Sequence, residues 1–173
     1  MSLPLRRAAL FGLTGLLFFG SWLVTNPSFD VSPIQGEWPF VLAFSALILT
    51  LALAVPQFAD MVGGRAAFRA SRTVAVGAVL SSAANILEDG LKMEWAFFAF
   101  IAGLAIMELA LLALAIVLVA RDGQRHFALV PAGAIAGLLL YVVAGGPLML
   151  VTWLLAAGFA LAPARDQAKE SLA

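Results

Sequence analysis

The sequence predicts an all-α, polytopic membrane protein: six transmembrane helices arranged as three in-out-in hairpins, forming a single helical bundle over residues 1–173. Three observations carry this reading. Of the 173 residues, 63% are hydrophobic and only 12% charged, so a water-dissolved fold would leave too much apolar surface outside. Apolar runs close to the roughly 20 residues needed to cross about 30 Å of hydrocarbon recur along the chain. Threading those runs in turn collects the basic residues on one side.

The runs cover residues 8–25, 39–58, 73–89, 95–120, 127–144 and 147–162. Arg6 and Arg7 before the first could mark a secretory signal, but the run is nearly a full span and no small-residue cleavage site follows, so a retained helix is expected. Pro39 and Pro147 suit first helical positions in the second and sixth. The fourth run would be about 39 Å long, which requires tilt, a kink or a protruding end. Only Gly145, Gly146 and Pro147 part the fifth from the sixth, and one continuous helix there would be about 55 Å long, so these residues read as a tight turn.

With the N-terminus inside, Arg6, Arg7, Arg65, Arg69, Arg72, Arg121, Arg125, Arg165 and Lys169 are all cytoplasmic and only Lys92 is outside. Both termini are then cytoplasmic, as expected in a bacterial-type plasma membrane. Five spans would move Arg165 and Lys169 outside.

Several functions are excluded. The chain has no cysteine and a single histidine, His126, which rules out disulfides, thiol catalysis and a histidine-rich metal site within one chain. No phosphate loop, dinucleotide fingerprint, nucleophile elbow or paired-histidine zinc motif occurs. The basic residues are spread over four short inner segments, which gives nucleic-acid binding no support. No cofactor or metal is assigned.

The middle hairpin differs from the others, because its segment SSAANILEDGLKMEW (81–95) places acids next to the membrane. Gly77, Ser81, Asn85 and Glu88 recur at steps of four, four and three, on one helix face. Small residues at such spacing let helices approach closely, and Ser81 with Ser82 can hydrogen-bond across the seam. Asn85 needs a partner helix, a ligand or a hydrated cavity for its amide. Glu88, Asp89, Lys92 and Glu94 surround Gly90; either Gly90 stops the helix and the charges hold the tip at the headgroups, or the acids, with Asp30 and Glu37, form a mouth for a cation or amine.

Glu108 has no other charge between Glu94 and Arg121. An ionised carboxylate facing lipid is costly, so Glu108 is expected to face the interior, paired or protonated. A hairpin turn near Leu91 and Lys92 sets residues summing to about 183 side by side, so Arg72 would lie one turn below Glu108 as its ion-pair partner. The competing role for Glu108 is a proton or cation carrier, with Ser81 and Asn85 above it.

Gly133 and Gly137, with Tyr141, form a packing stripe; Trp38 and Trp95 belong at the outer interface. The basic loop DMVGGRAAFRASR could hold anionic lipid headgroups. The favoured function is binding or transport of a small solute, cation or lipid-like ligand on the polar face of the third and fourth helices. The alternatives are a non-catalytic accessory subunit of a larger membrane complex and an intramembrane enzyme acting on a lipid-like substrate. The expected partners are the bilayer, other membrane subunits or further copies of the chain.

Overall fold

The computed structural model describes residues 2–25 and 38–170, with side chains described except at 141–142 and 163–170. The described chain is all-helical: α1 (Leu3–Thr25), α2 (Trp38–Val62), α3 (Arg65–Asn85), α4 (Ala96–Val119), α5 (Leu129–Leu139) and α6 (Gly146–Glu170). Five of its helices are long and apolar enough to cross a membrane. Most are longer than the apolar runs: α1 begins before Arg6, α2 continues past Asp60, and α3 begins at Arg65, because charged side chains at a helix end can extend along the rod to water.

The fifth element corrects the expectation of six full spans. Arg125–Ala128 form a tight 3₁₀ turn, and α5 proper has 11 residues, about 16 Å of rise. The chain reverses earlier than Gly145-Gly146-Pro147. Leu140 leaves helical geometry (φ −98°, ψ 18°), residues Tyr141–Gly145 form a wide π-type turn, and Gly146 and Pro147 already belong to α6. Gly146 lies against Trp22, whose side chain would collide with any added Cβ. Gly133 and Gly137 do form a packing face: they lie against Thr152 and Met149 of α6.

Helices consecutive in sequence are neighbours, and α6 returns to α1, so the bundle is a sequential ring. The expected hairpins are not equivalent packing units. α3 lies tightly on α4, whereas α1 packs far more extensively on α6 than on α2. The middle of the ring is solid: Phe11, Phe58, Leu111, Leu114, Met149 and Trp153 are fully buried there. Phe11 meets Phe58 edge-on at 6.4 Å and Trp153 at 5.8 Å between ring centres, which adds aromatic contact energy to a large burial. The void left between Phe58, Leu111, Ala134 and Trp153 has no room for a water molecule.

Two ends follow from this arrangement. Arg7 of α1 pairs with Asp60 of α2, and Arg121 after α4 reaches Gly63 after α2, so these arginines share a basic end with the start of α3. At the other, acidic end, Trp38 at the start of α2 packs on Gly90 after α3.

Candidate functional site

The polar stripe of α3 is divided between two neighbours. Gly77 lies so close to α4 that a Cβ there would sit 2.7 Å from Gly103 O and 2.8 Å from Met107 N. Ser81, fully buried, donates to Phe100 O at 3.2 Å. One step round the helix, Ser82 and Asn85 face α2. Ser82 Oγ donates to Ser45 O (3.1 Å), Ser45 Oγ donates to Ser82 O (3.3 Å), and Asn85 Nδ2 donates to Ser45 Oγ (3.0 Å) and Val41 O (3.4 Å). Asn85 therefore finds the partner helix it requires. This reciprocal clasp meets the demand that polar groups in hydrocarbon be satisfied internally. Ser45 was not singled out in the sequence, where it is one hydroxyl in an apolar run.

At the acidic end the π-type turn Ile86–Gly90 carries Glu88 and Asp89, both half-buried, while Lys92 and Glu94 are exposed. The left-handed residue of this connection is Lys92 (φ 58°), not Gly90. Gly90 is needed for another reason: Trp38 packs over it, and a Cβ would sit 2.8 Å from Cη2 of the indole. Asp30 and Glu37 lie outside the described residues. Among the described residues no three His, Cys, Asp or Glu side chains come together as a ligand set for a metal ion.

Glu108 stands about 17 Å from either end of α4, at the edge of the helix's buried stripe. Leu111 and Ala115 on one side of it are buried, whereas Leu109 and Leu112 are 67% and 48% exposed. The carboxyl group is half-buried and has no hydrogen bond or ion pair among the described residues. The expected Arg72 ion pair is not formed; the Arg72 guanidinium lies over the Phe68 ring at 4.8 Å. The reason is azimuth. Arg72 is about 140° around α3 from Gly77, which faces α4, so it shares the outward face of Val76 and Val79.

Three features escaped the sequence reading. Arg7, also bonded to Gln57 Oε1 (3.3 Å), pairs with Asp60, which no pattern marks as a partner. Arg121 Nη1 donates to Gly63 O (2.6 Å) and to Gln124 Oε1 (3.0 Å), while Gln124 Nε2 donates to Val62 O (2.8 Å). These two side chains satisfy carbonyls at the C-terminal end of α2, where a cation is favoured by the helix dipole. The third is a lateral crevice between α1 and α2, with a recess of about 440 Å³ bounded by Leu17, Gly20, Phe44 and Thr50. It arises because α1 turns to α6, which no periodicity reveals.

These features define the class: the described residues form an all-helical bundle with the apolar helices of a multi-pass membrane protein, a packed core and two recesses along the α1–α2 surface. No family model, curated protein or solved structure matches the chain.

Proposed function

We propose that this chain is an integral membrane protein that binds a lipophilic cation, an amine-bearing amphiphile arriving through the bilayer, at Glu108. The observation that carries the reading is an unpartnered carboxyl group midway along an apolar helix, half-exposed beside Leu109 and Leu112. An ionised carboxylate there costs at least a few kcal/mol, which an ammonium partner offsets. The solid ring interior and the close α3–α4 seam favour binding over conduction. Ser81 and Asn85 are then helix glue, and Glu88, Asp89 and Glu94 a separate anionic collar. On the positive-inside rule the basic end faces the cytoplasm of a bacterial-type cell.

The exposed leucines beside Glu108 favour a second reading, an accessory subunit in which a partner helix supplies a lysine or arginine to the same carboxyl group. The recesses between α1 and α2 are not bounded by Glu88, Asp89 or Glu108, so they lend an intramembrane enzyme no support.

Labelling with dicyclohexylcarbodiimide, which reaches carboxyl groups from hydrocarbon, tests both. In purified protein we expect one adduct at Glu108, absent in Glu108→Gln, and protection by dodecylamine but not dodecanol. Equal protection by the two amphiphiles would reject a cation site. A carboxyl group silent in native membranes and reactive after purification would favour the partner helix.

A further inference from the structure

The α1–α2 seam carries a feature independent of Glu108. Below the apolar recess, toward the basic end, lies a second one of about 370 Å³ bounded by Leu3, Arg6, Arg7, Leu10, Leu53 and Gln57. On α1 the two recesses share one stripe, since Leu3, Arg6, Arg7 and Leu10 are continued by Leu17, Ser21 and Val24 at helical spacing. On α2, Leu53 follows Thr50 by three positions, so the recesses are in line. We infer that this seam binds one anionic phospholipid of the leaflet at the basic end, its phosphate on Arg6 and its acyl chains in the crevice.

Length and charge both point to this occupant. From Arg6 to Leu17 the helix rises about 16 Å, close to the half-thickness of the hydrocarbon layer that one acyl chain spans. Asp60 would repel an anion, but it is paired with Arg7, which also engages Gln57 Oε1. Arg6 is exposed and has no ion pair among the described residues, so its fork of donors is free to take two phosphate oxygens. A zwitterionic lipid would fill the crevice equally well, but its own cation would weaken the attraction to Arg6.

The test is electron paramagnetic resonance of the full chain in dioleoylphosphatidylcholine vesicles, each containing a trace of spin-labelled phosphatidylglycerol or phosphatidylcholine. The motionally restricted fraction should favour phosphatidylglycerol by about fivefold at low salt, as one arginine at a surface allows, and less at high salt. Arg6→Gln should abolish the preference and Arg6→Lys should keep part of it. Arg69→Gln, an exposed arginine at the same end but away from the seam, should leave it intact. Ala46→Trp, placing an indole in the crevice, should lower the restricted fraction of both lipids. Equal restriction of the two lipids by the unaltered protein would overturn the proposal. So would a preference that Arg6→Gln and Arg69→Gln reduce alike, because that describes a diffuse basic surface. Since the chain has no cysteine, rapid disulfide cross-linking of Leu17→Cys copies would assign the seam to a second molecule and equally overturn it.

Discussion

Arg121 donates to the carbonyl oxygen of Gly63 at 2.6 Å, so a residue just beyond α4 closes the end of α2. The same guanidinium holds Gln124, which itself donates to the Val62 carbonyl, and the connection from α4 to α5 is tied to the end of α2 at the basic end through two side chains. A neutral truncation leaves those carbonyls competing for water at the edge of the bilayer.

Arg121→Leu should therefore destabilise the protein by about 1.5–3 kcal/mol, the range for hydrogen bonds to a charged donor. Arg121→Lys should fall between, because an ammonium can reach one carbonyl without the planar fork. Reversible unfolding in mixed dodecylsulfate micelles reads this directly. A loss no larger than that of Arg125→Leu, whose parent side chain is exposed and at most weakly paired, would show that the contact contributes nothing.

How much of this was legible in the sequence depends on which coordinate of a residue is asked for. Composition and run length identify the apolar helices, and the hairpin register is close: Gly77 meets Gly103 and Met107, and Ser81 meets Phe100 and Gly103, pairs summing to between 180 and 184 against an expected 183. Register gives depth alone. Whether two residues at one depth touch depends on the azimuth of both helices, which the third neighbour sets. Arg72 and Glu108 lie within about one turn in depth but not on one face, and Asn85 turns to α2 although its stripe includes residues facing α4. The α1–α2 crevice is less legible still, since a chain written as hairpins gives no sign that α1 prefers α6.

The Ser45–Ser82–Asn85 clasp makes a quantitative prediction. Each donor has a defined acceptor, and the hydroxyl of Ser45 both accepts from Asn85 and donates to Ser82 O, so the bonds polarise one another. Hydrogen bonds between membrane helices average only about 0.6 kcal/mol, because the separated helices also find partners. A double-mutant cycle of Ser45→Ala and Asn85→Ala should give a coupling of about 0.5–1.5 kcal/mol, with helicity unchanged. Coupling indistinguishable from zero would mean that Asn85 is satisfied elsewhere, and would reopen a ligand role for its amide.

The α3–α4 seam supplies the sharpest contrast, because glycines on the same bundle differ in what surrounds them. A Cβ on Gly103 would stand 2.7 Å from Ser81 N and 2.9 Å from Gly77 O, and backbone atoms cannot rotate away as a side-chain tip can. Gly12 of α1 has nothing within 4 Å of the equivalent position. Gly12→Ala should be neutral or stabilising by up to about 1 kcal/mol, since alanine restricts the unfolded backbone and favours the helix. Gly103→Ala carries the same propensity gain but must push the helices apart, so it should lose at least about 1–3 kcal/mol to overpacking. It should also break the Ser81 to Phe100 hydrogen bond, which holds only at the present separation. Distances between spin labels on α3 and α4, measured beside the unfolding curve, separate the two effects: the seam must widen in Gly103→Ala and stay fixed in Gly12→Ala. If Gly103→Ala is tolerated at unchanged distance, the helices are not held in contact at this point, and a route between them past Ser81 becomes physically open again.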